Sequence, residues 1–299
     1  MGSEPLELAI EPGTPPRTIA RDIERAGVRV DARLLFAWFR LSGKVREIRA
    51  GNYEIPPGTT PIALLDKLVR GEESLRSLTL VEGWTFRQMR ASLAREELRH
   101  DTASLSDAEI MQQLGRPGVP AEGRFFPDTY AYAKGSSDLA VLRRALHAMD
   151  RHLEAAWAQR SADTPLKSAD EALVLASIVE KETGQAADRP QIAGVFANRL
   201  RTGMLLQTDP TVIYGLGEKF DGNLRKRDLQ TDTPWNTYTR AGLPPTPIAM
   251  PGKASLIAAV QPQATRALYF VARGDGSSHF SATLEEHNRA VQRYQLQKK

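Results

Sequence analysis

Two carboxylates close the sequence Ala172-Leu-Val-Leu-Ala-Ser-Ile-Val179-Glu180-Lys181-Glu182-Thr183. The run ahead of them is apolar on every side, the pattern of a helix buried all round. At ~100° per residue Glu180 and Glu182 point ~200° apart, so they cannot both face one cleft. Val179 and Ile178 stand three and four residues before Glu182, whereas Ser177 and Ala176 precede Glu180. Glu182 therefore leaves the helix on its more apolar side. The negative end of the helix dipole disfavours a carboxylate there, by roughly 0.3–1 kcal/mol and up to ~2 when partly buried. Raising a glutamate to a working value near 6–7 takes about 3 kcal/mol, so desolvation has to supply the rest. From the residues alone, the simpler reading is two exposed helix-end glutamates flanking Lys181.

A second cluster mixes polar groups with aromatics in loops: Gln207, Thr208 and Asp209, then Trp235, Asn236, Thr237 and Tyr238. Aromatic faces with amide and hydroxyl groups suit sugars. The structural alternative has Asp209 capping a helix and Trp235 and Tyr238 filling core. His279 and His287 read as surface or structural residues. The five histidines show no paired ligand spacing, and neither a nucleophile elbow nor a phosphate-binding glycine loop is present. With no cysteine, disulfides and thiolate metal sites are excluded. No metal and no cofactor are expected. What remains is carboxylate chemistry, with glycoside cleavage as the main candidate.

The elements that must position these groups fall into two regions. Leu6, Leu8 and Ile10 alternate as a strand, followed by a Pro12-to-Pro16 turn. Ile19 and Ile23 mark a helix closed by Gly27, and Leu34, Leu35, Trp38 and Phe39 mark another. Gly51 to Ile55 reads as a strand, and Thr60-Pro61 opens a helix that stops at Gly71. This strand-helix-helix-strand unit, 1–75, is expected to end at Glu72-Glu73-Ser74. The second region, 76–299, opens with a strand at Leu78–Val81 and a helix from Thr85, and helices fill most of it to about residue 160. Ser168 and Glu171 suggest a capping box for the helix that ends at Gly184, and Thr283 and Glu286 suggest another. A helix is expected from about Pro190 to Gly203, a third with Asp209-Pro210 as cap and first turn, and an irregular loop at 234–251. Leu268–Ala272 and His279-Phe280 flank a Gly-Asp-Gly turn as a hairpin. The fold class is α+β.

Six segments in order are similar to those of the YceG-like family of endolytic murein transglycosylases. They are LVEGWTF (80–86), EGRFFPDTY (122–130), LASIVEKETG (175–184), NRLRTGMLLQTDPTVIYGLG (198–217), NTYTRAGLPPTPIAMPG (236–252) and YFVARGDGSSHF (269–280). The N-terminal unit resembles the family's LysM-like subdomain. The resemblance implies that Glu182 is the catalytic residue and that Gln207, Thr208, Asp209 and Asn236 line the cleft; Tyr238 joins them by its type and position. Glu122 and Asp128 lie in a matching motif without an assigned role. The implied reaction cuts the β-1,4 bond between N-acetylmuramic acid and N-acetylglucosamine without water, leaving a 1,6-anhydro end. Peptidoglycan strands and cell-wall synthesis proteins are the implied partners. The implied location is the bacterial inner membrane, held by one N-terminal helix, with the enzyme in the periplasm or outside the cell. Met1-Gly2-Ser3 reads as an expression scar, so the anchoring helix is expected to have been removed. Rival readings are a hydrolytic muramidase, with Asp209 or Glu122 activating water, and a glycan-binding scaffold without catalysis. Forty basic against 36 acidic residues, spread along the chain, leave no patch for nucleic acid.

Overall fold

The computed structural model describes residues 6–11 and 13–296. The Met1-Gly2-Ser3 segment and Pro12 of the first expected turn lie outside them. The elements follow the order β1 (Leu6–Ile10), α1 (Pro16–Arg25), α2 (Ala32–Leu41), β2 (Gly51–Ile55), α3 (Pro61–Arg70), β3 (Leu75–Thr79), α4 (Phe86–Leu93), α5 (Asp107–Gln113) and β4 (Thr129–Ala133). They continue with α6 (Asp138–Ala158), α7 (Ala169–Glu182), α8 (Arg189–Thr202), α9 (Asp209–Leu216), α10 (Lys226–Gln230), α11 (Lys253–Val260), β5 (Tyr269–Ala272), β6 (Ser278–Ser281) and α12 (Leu284–Val291). The architecture is α+β, with its strands in two-stranded sheets. No helix among the described residues is long and apolar enough to cross a membrane.

The chain forms two compact units. The first takes in the described residues up to Leu78, then gains Glu96–Arg99 and Ala131–Ser137. Here β1 and β2 pair antiparallel, with Leu8 opposite Tyr53 and Leu6 opposite Ile55. Alternation turns Leu8, Ile10, Tyr53 and Ile55 inward onto Ile19, Ile23, Leu35, Phe39 and Leu68. Asp31 and Thr60 cap α2 and α3 through their side chains, and Gly71, at φ 68°, ends α3. The returning segment is tied in by polar contacts. The Asn52 amide donates to the Lys134 carbonyl at 2.6 Å, and the Tyr132 hydroxyl donates to Glu96 at 2.7 Å.

The second unit is built around α7. Residues Ala172 to Val179 are all buried, as an apolar run without a polar face requires. α11, α8, α6 and α9 pack on it, and α11 makes the most extensive contact. The Ser177 hydroxyl accepts from the Ile248 N–H at 3.0 Å, fixing the irregular 234–251 loop to the helix.

Several local expectations shift. The strand expected at Leu78–Val81 lies at Leu75–Thr79, and the Leu80 N–H just beyond it donates to the Asp128 carbonyl. The Ser168 hydroxyl caps α7, but the Glu171 carboxylate reaches back to the Lys167 N–H, so the reciprocal box is absent. Helix α7 ends at Glu182, before Gly184, because Thr183 turns extended and its hydroxyl takes the Val179 carbonyl. Asp209 is the first residue inside α9 and not its cap; Thr208 holds that place. β4 interrupts the expected run of helices before residue 160, and α11 has no counterpart in the expectations above. The hairpin β5–β6 and the reciprocal box of Thr283 with Glu286 form as expected.

Candidate functional site

The end of α7 delivers its two glutamates to different neighbours. Glu180 accepts from the Gly252 N–H at 2.9 Å and lies 3.6 Å from Arg189. Its side chain is 8% exposed, so this carboxylate is a structural clamp on the start of α11. Glu82 joins the cluster. Burial and then the Glu180 charge push its carboxyl up, against Arg189. It packs so tightly on Gly252 that an added Cβ there would sit 1.8 Å from its Oε1.

Glu182 is half-buried and accepts a hydrogen bond from the Thr208 hydroxyl. Desolvation raises its pKa most. The Thr208 bond opposes that, the Asp209 charge adds to it, and Arg199 lowers it. Glu182 is thus a carboxyl biased toward its protonated form, with one hydroxyl partner and charges of both signs nearby.

The Thr208 hydroxyl is aimed by a buried set of threonines. The Thr208 N–H donates to Thr237 Oγ1 at 3.1 Å, Thr211 Oγ1 donates to the Thr208 carbonyl at 2.7 Å, and the Thr211 and Thr237 hydroxyls meet at 2.9 Å. Gln207 precedes them at φ 47°, the sole non-glycine with positive φ among the described residues, and its N–H donates to the Thr237 carbonyl. A non-glycine held in the left-handed region is a local strain that its surroundings must impose. The Gln207 side chain is exposed, as is Asp209. Asp209 accepts from the Tyr238 hydroxyl at 2.6 Å. Burial and then the Asp209 bond push the Tyr238 hydroxyl's pKa up.

The fold therefore gathers Glu182, Thr208, Asp209 and Tyr238, with Gln207 adjoining in sequence. Asn236 is placed otherwise. It is fully buried, its amide donates to the Thr231 and Leu229 carbonyls at 2.7 and 3.0 Å, and its oxygen accepts from the Tyr238 N–H. In this arrangement it shapes the loop that presents Thr237 and Tyr238. Asp128 is occupied locally, accepting from the Thr129 N–H.

Two features have roles that the residue pattern alone did not assign. Arg199 is 7% exposed, and its Nε and Nη1 donate to the Leu268, Leu206 and Leu205 carbonyls. Its guanidinium lies 5.2 Å from the Tyr269 ring centre. These bonds hold the two residues before Gln207 and Thr208. An arginine at i+7 from Ile192, on the same helical stripe as Val195 and Phe196, was the available signal. The second is the partner set of Glu122, which accepts from the Phe86 N–H at 3.0 Å and the Tyr214 hydroxyl at 3.2 Å. Burial is the main cause that raises its carboxyl to about 7. Trp235 stands edge-on to Tyr214 at 5.4 Å and donates to Thr246 at 2.9 Å. Among the described residues no cluster of three or more His, Asp or Glu could hold a metal ion.

Residues 8–293 match the model of the YceG-like family. The chain is 34% identical over 265 residues to an endolytic murein transglycosylase of Bacillus subtilis, covering 82% of this chain and 73% of that protein. It is 27% identical over 320 residues to the Streptococcus pneumoniae protein of the same name, covering 96% of this chain and 58% of that one. The crystal structure of a yceG-like protein from Listeria monocytogenes superposes with a TM-score of 0.61 at 29% identity, covering 96% of this chain and 99% of the other.

Proposed function

This chain belongs to the YceG-like family, and on that premise we propose that it is a lytic transglycosylase acting on peptidoglycan, with Glu182 as both acid and base. The observation that carries the reading is the Glu182 carboxyl itself, desolvated, raised in pKa and bonded to Thr208. A carboxyl biased toward its protonated form can donate to a glycosidic oxygen. In the first step the Glu182 proton passes to the leaving oxygen as the bond to C1 of N-acetylmuramic acid breaks. In the second, the Glu182 carboxylate takes the proton of the C6 hydroxyl, whose oxygen closes onto C1. The product is a 1,6-anhydro end, no water is consumed, and the acid is regenerated. Thr208 steadies the anion between the two steps.

The test is mass spectrometry of peptidoglycan strands digested by the chain. At each cut the fragment carrying the new N-acetylmuramic acid end should be one water lighter than hydrolysis would leave it. Fragments at hydrolytic mass would transfer the role to a water-activating pair and favour the muramidase reading. The strand-helix-helix-strand unit is proposed as a LysM-like glycan-binding subdomain, and an N-terminal membrane anchor facing the catalytic region outward is proposed on the family resemblance. Titrating the chain with N-acetylglucosamine oligomers while following amide signals of residues 6–71 tests the first. Unperturbed signals at saturation would leave the unit as a spacer.

A further inference from the structure

A cavity of about 1220 Å3 opens beside the residues described above, and Glu182 does not line it. Lys181 and Pro210 do, and they are the sequence neighbours of Glu182 and Asp209. The two segments joined by the Thr208–Glu182 hydrogen bond thus each send their next residue or two into its wall. The volume exceeds the ~300–1,000 Å3 of a drug-sized pocket, so it suits an extended ligand.

The wall chemistry narrows the ligand. Trp235, Tyr214 and Phe220 line the cavity and are half-buried, so part of each ring stays accessible. The indole N–H is already given to Thr246 and the Tyr214 hydroxyl to Glu122, so these rings offer faces and edges to a ligand rather than polar groups. Three of the charges in the wall, those of Arg87, Glu218 and Asp107, are already paired. Arg87 pairs with Glu218 at 2.8 Å, Asp107 with Arg90 at 2.7 Å, and Lys181 donates to the Gly83 carbonyl. Glu122, at about 7, is largely protonated below neutrality. A ligand with strong charges of its own would have to break these pairs. An uncharged ligand with apolar ring faces would not.

We propose that this cavity is a saccharide subsite of the same cleft, holding uncharged N-acetylated sugar rings against Trp235, Tyr214 and Phe220 while charged stem peptides stay outside it. The proposal rests on the reading of Glu182 as the acid of a glycan-cleaving site. It makes the cavity the place where strand is distinguished from peptide, with Lys181 and Pro210 as the link to the reacting bond.

The experiment uses the whole chain carrying Glu182→Gln, so that bound sugar is not turned over. Calorimetric titration with a neutral N-acetylglucosamine tetramer should give binding. Adding Phe220→Ala or Trp235→Leu should weaken it about tenfold, the loss common for a buried aromatic contact. Phe220 ends a short turn away from the core cluster, so its variant should melt like the parent even if the Trp235 variant does not. A free stem pentapeptide should not displace the tetramer. Unchanged affinity in Phe220→Ala, or displacement by the pentapeptide, overturns the proposal. The two readings fail separately. Wild-type chain that makes anhydro ends while the aromatic variants bind and cut normally removes the subsite alone. Tetramer binding that depends on Phe220, in a wild-type chain that cuts nothing, removes the cleavage reading alone.

Discussion

A single carboxyl asked to act as acid and then base needs its two forms close in energy. At Glu182, burial favours the neutral acid, while the Thr208 hydroxyl and the Arg199 charge favour the anion. Glu182→Gln keeps the size and the hydrogen-bonding capacity but cannot donate a carboxylic proton. Turnover should fall by roughly 10²–10⁴-fold or more, with oligosaccharide binding retained. Stability should hold or rise. The raised folded pKa gives a contribution that is full below the unfolded value and lost as pH rises through the folded one, and glutamine removes that loss. Thr208→Val tests the partner. Losing a bond that favours the anion should raise the Glu182 pKa further. Because the acid must be protonated, the alkaline limb of the rate profile should then move to higher pH, with a lower plateau. A profile that stays fixed while the rate drops would make Thr208 a packing residue only.

At the scale of elements, α7 and α11 are joined by one buried side chain. The Glu180 carboxylate accepts from Gly252, at the start of α11, where unpaired N–H groups and the helix dipole favour negative charge. Glu180→Gln should therefore cost about 1–3 kcal/mol in urea unfolding. Most glycan-cleaving activity should remain, since the residue faces away from Glu182. An inactive Glu180→Gln chain of wild-type stability would exchange the roles assigned to the two glutamates.

Across the whole molecule, pH should also act through a buried carboxyl other than Glu182. Glu122 is 8% exposed and titrates near 7 when folded, against an ordinary value of 4.5. Its folded pKa is raised, so its contribution is full below about 4.5, declines as pH rises, and is gone above about 7. The size is roughly 3 kcal/mol at most, at about 1.36 kcal/mol per unit. Glu122→Gln should flatten this part of the stability curve, measured by denaturant unfolding between pH 4.5 and 8. An unchanged slope would mean that another group carries the dependence. The second unit holds this carboxyl, the 1220 Å3 cavity and Glu182 together. The first has its own apolar core around Tyr53, Phe39 and Leu68.

Much of this arrangement was legible in the residues because its causes are local. Thr60, Ser168 and Thr283 cap the helices that follow them, and Gly71 and Gly203 end α3 and α8, since capping is decided within a few residues. The run 172–179, apolar but for Ser177, required burial on all sides, and the ~100° per residue of a helix set Glu180 and Glu182 on opposite faces at the end of α7. Side-chain destinations were decided elsewhere. Spacing does not reveal that Thr208 reaches Glu182 across 26 residues, or that Glu122 meets Tyr214 across 92. Asn236, grouped by type with the cleft residues, turns inward because its amide takes the carbonyls of Asp228, Leu229 and Thr231 at the end of α10. The short apolar helix α11 carries almost no amphipathic pattern, and its place on α7 depends on a carboxylate 72 residues earlier. A helix end follows from its neighbours in the chain. The partner of a buried polar group follows from which distant segments the packed core leaves beside it.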